Sequence, residues 1–565
     1  MAYKRLGDVL LATGVITDED LQRALSMQKG TDKRLGNVLL DEGFITEKQL
    51  IDALEMQLGV EFIDLSKTII PAELASVIPM SMAKKYNFVP VKQEKDELYI
   101  AMSDPLNFMA IEDVKRVCGR RVVPMIATGD AVDRAIMTLY GNEGAARAIE
   151  EMRREAGEEQ IAAAQVTTTE VGAEGEAATA PTIRLVNSII ERAATERASD
   201  IHLEPREAEM VVRMRVDGVL RNVLTVPTAL QGSVISRLKV MGGMNTSERK
   251  VPQDGRANVK VKQSDIDLRI STLPTIYGEK MVIRLLDKSS HMFSRVGIGL
   301  DEKNIKRYDY LMRSKSGVFL IAGPTGSGKS STMSTMVREL NTEDVNIVTL
   351  EDPVEYNIDG VNQVQINEKT GMTFAEGLRS ILRQDPDIIS VGEIRDGETA
   401  EIAMRSAITG HLVLSTIHTS DSVATLDRLY DIGVQPYLTS GALKGVIAQR
   451  LVRKICPQCR KAYTPTDDEL DRLGIEREEG MQFYKGEGCP SCFHTGYKGR
   501  TGVFEIFLVN REIRHMIMDR ADHDTIMEAA KKDGFKTLSQ RCIELVLSGE
   551  TTVEEAVRTM NSTDD

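Results

Sequence analysis

Apolar residues along the chain follow several distinct rhythms. Residues 1 to about 60 carry a tandem pattern in which Leu6, Leu10, Leu11, Ile16, Leu21 and Leu25 recur as Leu35, Leu39, Leu40, Ile45, Leu50 and Leu54, every position displaced by 29. Leucines at i, i+4 give each helix one apolar face, so each copy predicts a short helix, a glycine stop and a second helix. Thr17 with Asp20, and Thr46 with Gln49, are placed to form capping boxes at the start of the second helix. Over 61–140 the pattern predicts strands at Phe62–Leu65, Phe88–Val91 and Leu98–Met102 and helices at Pro71–Lys84 and Phe108–Val117, a small α/β module. Residues 141–180 are rich in Ala, Glu, Gly and Thr and predict a flexible linker. An amphipathic helix over Thr182–Arg197 then precedes alternating segments at Met210–Val216, Ala257–Val261, Ile266–Ser271 and Lys280–Leu286, an α+β domain over 181–290. From 291 to 510 the apolar runs become continuous, as in strands buried on both faces of a parallel sheet, and 511–565 reads as helices.

One of those runs, Val318–Ala322, enters Gly323-Pro324-Thr325-Gly326-Ser327-Gly328-Lys329-Ser330-Ser331 and a helical pattern follows. This is G-x-x-x-x-G-K-[ST] in its required strand-to-helix context. The glycines let backbone N–H groups turn inward around phosphate oxygens. Lys329 adds charge for the β- and γ-phosphates of ATP, the Ser330 hydroxyl is placed to ligate Mg²⁺, and the helix N-terminus contributes its dipole.

Charge and composition narrow the partners. A formal charge of −14 with no Trp argues against direct nucleic-acid binding. No apolar run approaches the ~18 residues of a membrane span, and the N-terminus does not read as a signal peptide. A cytosolic protein is expected, with any membrane role carried by a partner.

Further chemistry clusters after the phosphate loop. Ile347-Val-Thr-Leu350 ends in Glu351, Asp352 and Glu355, where a parallel sheet presents ligands. Asp385-Pro-Asp387-Ile-Ile-Ser-Val-Gly392-Glu393-Ile-Arg395-Asp396 occupies the place of a Walker B strand, with Gly392 where the Mg²⁺-holding Asp is common, so Glu393 works alone or shares the task. Either Glu355 or Glu393 orients the attacking water; Glu355 is favoured. A strand between His411 and His418 predicts histidines at both ends, able to sense a γ-phosphate. Asp200, His202 and Glu204 alternate on one strand and read as a polar face rather than a metal site. Arg379, Arg383 and Arg428 read as interface arginines or a solvated face, and Lys444, Arg450, Arg453, Lys454, Arg460 and Lys461 as a basic stretch that forms a solvated face or, alternatively, faces acidic lipid or a platform protein. Two C-x-x-C knuckles, Cys456/Cys459 and Cys489/Cys492, supply four thiolates for a closed tetrahedral Zn²⁺ site, a tetracysteine zinc insertion over 456–492. Free thiols or a redox pair are the alternatives.

In the N-terminal repeat the polar residues keep the same phase as the leucines, which packing alone does not require. Arg5, Gly7 and Gln28 recur as Arg34, Gly36 and Gln57. Two arginines presented symmetrically suit a two-fold ligand carrying phosphates and guanine edges. The pattern resembles the MshEN domain, which implies cyclic di-GMP binding through Arg5, Gly7, Leu10, Gln28, Arg34, Gly36, Leu39 and Gln57, with Lys29–Lys33 as the spacer.

Together, the phosphate loop, the carboxylate box, the Walker B-like box, the histidine box and RISTLPT…GEKMVIRLL resemble the secretion ATPase superfamily, in its branch of pilus-assembly and type II secretion ATPases. The resemblance runs from residue 1 to about 550. It implies a RecA-like P-loop NTPase core, a homohexamer binding ATP between subunits, and Arg269 and Arg284 reaching the phosphates from the α+β domain. It further implies a motor acting on an inner-membrane platform protein, with the N-terminal region docking on a cytosolic assembly protein. The long N-terminal region and the cysteine insertion argue against pilus retraction. Type II secretion, and a non-hydrolysing nucleotide sensor, are the alternative readings.

Overall fold

The computed structural model describes residues 6–28, 35–41, 44–65, 68, 70–129, 131–140, 149, 152, 181–261, 264–287 and 293–561. Arg5, Arg34, the Lys29–Lys33 spacer and nearly all of the expected linker lie outside the described residues. The chain divides into two compact units, one built chiefly from Met1–Val261 and Asp267–Leu285, the other chiefly from Leu286–Glu487 and Gly496–Asp565.

In the first unit the repeat forms four helices, Leu6–Ala12, Asp18–Gln28, Leu35–Asp41 and Glu47–Leu58, whose starts differ pairwise by 29 (35 − 6 and 47 − 18). The first packs on the fourth and the second on the third. Both capping interactions form: Asp20 N–H donates to Thr17 Oγ1 at 3.2 Å, and Thr46 with Gln49 completes a capping box. The glycines explain part of the repeat. A Cβ on Gly7 would meet Leu21 at 3.0 Å, and one on Gly36 would meet Leu50 at 3.1 Å, so both copies make the same close helix approach at their glycine.

The following module is a three-stranded sheet, β1 (Phe88–Glu94), β2 (Glu97–Met102) and β3 (Arg121–Ile126), carrying the helix Phe108–Cys118. Two expectations fail here. Phe62–Leu65 makes only an isolated bridge, Phe62 to Ile126, and the helix expected over Pro71–Lys84 is split into a 3₁₀ turn, Ala72–Ser76, and a helix, Met80–Tyr86. Pro79 stands at the N-cap of the second piece, since proline has no N–H to continue a preceding helix. After the helix Pro181–Thr195 comes a six-stranded sheet in the order β6-β5-β4-β9-β8-β7. Its strands are β4 (Ala198–Pro205), β5 (Glu209–Val216), β6 (Val219–Pro227), β7 (Gln253–Val261), β8 (Ser264–Thr275) and β9 (Gly278–Asp287). The sequence reading missed β3, β6 and the helix Thr228–Met241.

The second unit is built on a seven-stranded sheet, order β12-β11-β13-β14-β10-β15-β18. Its strands are β10 (Gly317–Ala322), β11 (Ile347–Glu351), β12 (Asn362–Gln365), β13 (Ile388–Val391), β14 (Leu412–Ile417), β15 (Leu443–Ile455) and, after a β16 (Arg460–Tyr463)–β17 (Phe483–Gly486) pair, β18 (Tyr497–Leu508). All neighbours are parallel except β15 and β18. The continuous hydrophobicity of β10 follows from its place in this sheet. Val318, Leu320 and Ala322 join one core cluster, while Phe319 and Ile321 join another. Successive side chains point to opposite faces, and both faces are covered.

Candidate nucleotide site at the carboxyl edge of the sheet

Because β10, β11, β13 and β14 run parallel, the residues that follow them collect at one edge of the sheet. The phosphate loop leaves β10 and enters the helix Lys329–Leu340. Gly323, Gly326 and Gly328 have φ of 151°, 81° and 92°, conformations that an L side chain resists. Gly323 and Gly328 also lie against the β15 residue Gln449: added Cβ atoms would stand 2.7 Å from its carbonyl oxygen and 2.8 Å from its Nε2. Gln449 is buried and accepts from Thr332 Oγ1 at 2.7 Å, tying the loop's helix to β15. Lys329 Nζ folds back on the loop, donating to Gly323 O at 2.7 Å and Pro324 O at 3.0 Å. Burial pushes its amine down to about 8, with Glu393 opposing the shift and Arg450 adding to it. Ser327 Oγ is buried without a hydrogen-bond partner among the described residues.

Glu393, just beyond β13, faces this loop. One carboxylate oxygen is paired with Arg395 and the other stands 3.4 Å from His418 Nε2. His418, the residue after β14, is held toward its neutral form first by burial and then by the Lys329 charge, against the pull of Glu393. Gly392 has a steric reason. Its N–H donates to Leu350 O at 2.7 Å, and a Cβ there would sit 3.1 Å from that same oxygen. Any side chain, the common Asp included, meets the neighbouring strand's backbone.

Of the three carboxylates after β11, Glu351 is occupied, accepting from Thr349 Oγ1 at 2.7 Å and Gln363 Nε2 at 2.9 Å. Gln363 also donates to Tyr356 O at 2.9 Å and accepts from Ile358 N at 2.8 Å. The Tyr356 ring packs edge-on against Phe293 at 4.7 Å, with Arg338 over the other ring. The loop carrying Glu355 is therefore anchored on its C-terminal side by residues whose single letters carried no signal.

His411 is a correction. It precedes β14 and lies at the amino edge, beside Gly317, whose N–H donates to His411 O at 3.1 Å. Its Nδ1 lies 2.9 Å from Ser406 O. A strand of this length spans about 20 Å at ~3.3 Å per residue, so the two histidines cannot serve one phosphate within a subunit. The basic stretch after Lys444 is in part a second correction. Arg450 is buried and donates to Ser420 O, Arg453 pairs with the buried Glu555 at 2.6 Å and stacks on Tyr497, Arg460 stacks on Tyr484, and Lys461 pairs with Glu487 at 2.6 Å. Arg450 and Arg453 thus turn into the fold, whereas Lys454, Arg460 and Lys461 stay exposed, as the sequence suggested. Arg379 pairs with Glu376 and Glu398, and Arg383 bonds its own helix.

Arg269 and Arg284 lie on β8 and β9 of the first unit. Arg284 Nε is 3.2 Å from Asp200 Oδ1. Glu204 takes Arg213 at 2.7 Å and Lys280 at 3.3 Å, so the alternating Asp200-His202-Glu204 row is a charge-paired face, as expected from the sequence. Of the repeat residues singled out for cyclic di-GMP, Leu10 and Leu39 are fully buried and Gly7 and Gly36 sit in helix contacts. Gln57 Oε1 is buried without a hydrogen-bond partner among the described residues.

The thiol sulfurs of Cys456, Cys459, Cys489 and Cys492 all lie within 4.8 Å of one another, with Cys489 and Cys492 at 3.7 Å. A tetrahedron of ~2.3 Å metal–sulfur bonds places sulfurs about 3.8 Å apart, so the four thiols fit one metal ion.

The chain matches a sequence profile described as "Type II/IV secretion system protein" over residues 175–558. It belongs to that family. A second profile, the MshEN domain, matches residues 58–146, placing it on the three-stranded module that follows the repeat. The type IV pilus assembly ATPase PilB of Thermus thermophilus is 41% identical over 85% of this chain, which spans only 54% of that longer relative. PilB of Myxococcus xanthus is 37% identical over 98% of both chains, and type II secretion system protein E of Pseudomonas aeruginosa is 40% identical over 86% of this chain and 97% of its own. The phosphate loop and the family make the chain an ATPase. Among the described residues no helix is long and apolar enough to cross a membrane.

Proposed function

We propose that this chain is a hexameric ATP-hydrolysing motor that drives type IV pilus assembly from the cytosolic side of the inner membrane. What carries the reading is the phosphate loop at the sheet's carboxyl edge in a chain aligned end to end with a pilus assembly ATPase. Residues 323–331 bind the phosphates, and Lys329 leaves its two loop carbonyls to meet them. Mg²⁺ held at the Ser330 hydroxyl would supply charge to the β- and γ-phosphates. Glu355 orients the attacking water, and Glu393, which faces the loop, would help hold Mg²⁺ there. His418 senses the γ-phosphate. Arg269 and Arg284 supply positive charge from a neighbouring subunit's first unit, a contribution of several kcal/mol in phosphoryl transfer. The ring acts on an inner-membrane platform protein. The N-terminal region docks on a cytosolic assembly protein and is tuned by cyclic di-GMP, with Arg5, Arg34 and the inward-facing Gln57 as polar contacts.

Zn²⁺ in the four-thiolate cluster would brace the loops around β16 and β17 and play no part in the reaction. Mass spectrometry of the native chain should find about one zinc per subunit. Calorimetric titration of cyclic di-GMP into the full chain should give heat that Arg5→Ala and Arg34→Ala abolish.

The decisive test is electron microscopy of cells lacking the chain. Filaments should vanish and return with wild type but not with Lys329→Ala. Type II secretion is the second reading, favoured by the 40% identity to a protein of that system over 97% of its length. Persisting filaments with an exported enzyme trapped inside the cell would select it.

A further inference from the structure

Glu505, in the middle of β18, is a buried carboxylate that the hydrolysis scheme does not use. It is only 1% exposed. Burying a carboxylate costs several kcal/mol unless donors surround it, so an apolar side chain would be the cheaper filler on this strand. Its donors come from two distant segments. Oε1 accepts from Ser422 N at 2.9 Å and from Ser422 Oγ, while Oε2 accepts from Leu538 N at 2.8 Å. Leu538 opens the helix Leu538–Leu547, so that oxygen also faces the positive end of a helix dipole.

Ser422 closes the short loop that begins just after His418. The rest of that loop is held as firmly. Arg450, on the strand beside the phosphate loop, donates to Ser420 O. Asp421 Oδ1 accepts from Val423 N at 2.8 Å and Ala424 N at 2.7 Å, with His523 Nε2 at 3.5 Å. Thr419 Oγ1 donates to Asp421 O at 3.0 Å. Hydrogen bonds thus hold the loop from Thr419 to Ser422, and it meets the C-terminal helices at two points: Asp421 beside His523, and Ser422 joined through Glu505 to Leu538. The helix Leu538–Leu547 packs in turn on the last helix, Val553–Asn561.

We infer that Glu505 is a positioning residue that clamps the loop after His418 to the start of the helix Leu538–Leu547, so that the state of the bound nucleotide is passed to the C-terminal helices. The inference rests on the reading of His418 as the phosphate-facing residue. Each carboxylate oxygen serves one segment, so the clamp transmits displacement only while both are acceptors. Glu505→Gln keeps the volume but turns an amide N–H₂ toward one set of N–H donors, breaking one link and sparing the other.

Amide hydrogen exchange on the full chain, with and without ATP and Mg²⁺, tests this. In wild type, ATP should slow exchange at least about threefold at 323–332, at 418–424 and at 538–542 together. In Glu505→Gln the first two segments should still respond and the third should not. Ser422→Ala, which retains the Ser422 N–H bond, should weaken the response at 538–542 without removing it. It serves as the readout if Glu505→Gln does not fold, and a full response in it then counts against the clamp. An undiminished response at 538–542 in Glu505→Gln overturns the inference. So does its absence in wild type, which leaves the nucleotide site standing. No response at 323–332 in wild type removes the nucleotide reading and the clamp with it.

Discussion

The two edges of the seven-stranded sheet are made from the same strands and use polar residues in opposite ways. At the amino edge, Asn346 N donates to Asp387 Oδ2 at 2.8 Å and its side chain caps Gln384 and Asp385, while His411 lies against Ser406 O. Polar groups there tie neighbouring loops to one another or, at His411, a loop to its own backbone. At the carboxyl edge, the partly buried Lys329 and Glu393 and the exposed His418 lie close enough for the Glu393 charge to shift both its neighbours. Polar groups at the amino edge are therefore tied up in the fold, while those at the carboxyl edge sit where the strand-to-helix turns open helix N-termini, the place the proposed nucleotide site requires.

The comparison can be broken at its strongest point first. Lys329→Ala should lower ATP hydrolysis by about 1,000-fold, ~4 kcal/mol of transition-state stabilisation, read as phosphate release from the hexamer. Glu355→Gln and Glu393→Gln should each lower kcat by about 100-fold. Only Glu393→Gln should raise the Mg²⁺ concentration needed for half-maximal rate; a raised requirement in Glu355→Gln instead would exchange the two roles. A pH series gives the next effect. The nucleotide-free Lys329 amine titrates near about 8, and ATP binds its charged form. Below that pH the lysine is already charged, whereas above it binding must take up a proton. ATP affinity should then fall by up to about tenfold per pH unit, with calorimetry at pH ~9 in buffers of different ionisation heat showing uptake of nearly one proton. His418→Ala should cost about tenfold in kcat, the loss of one polar contact to the transition state. His411→Ala should change it by less than about twofold, since that ring serves only its own loop. Equal losses from both histidines would erase the distinction between the edges.

Legibility varied with how local the cause was. The phosphate loop was readable because its geometry is set by neighbours in sequence: three positive-φ glycines between a strand and a helix leave few alternatives. The knuckles were readable because C-x-x-C spacing brings two thiols together locally, although the meeting of both pairs depends on the fold. The 29-residue repeat was legible as four helices, yet its glycines also answer to packing on Leu21 and Leu50. His411 misled because a pair of histidines flanking a strand looks symmetric in sequence, whereas a strand has two ends and only one faces the loop. Gln363 and Gln449 gave no signal and Arg450 read only as part of a basic face, since what they hold lies 12 residues away for Gln363 and Glu351, 117 for Gln449 and Thr332, and 30 for Arg450 and Ser420.

The sequence by itself determined the class of chemistry, the strand that carries it, the helical repeat and the thiol pairs. Each of these is written in short-range spacing, through backbone conformations and periodicities that a few residues fix. Only the tertiary structure decided which histidine faces the phosphate loop, how closely a side chain at Gly392 would crowd the neighbouring strand, and that Arg450 and Arg453 turn inward. It also decided that Glu505 joins two distant segments. Those outcomes depend on strand order and on which segments meet across the sheet, and no local run of residues encodes either.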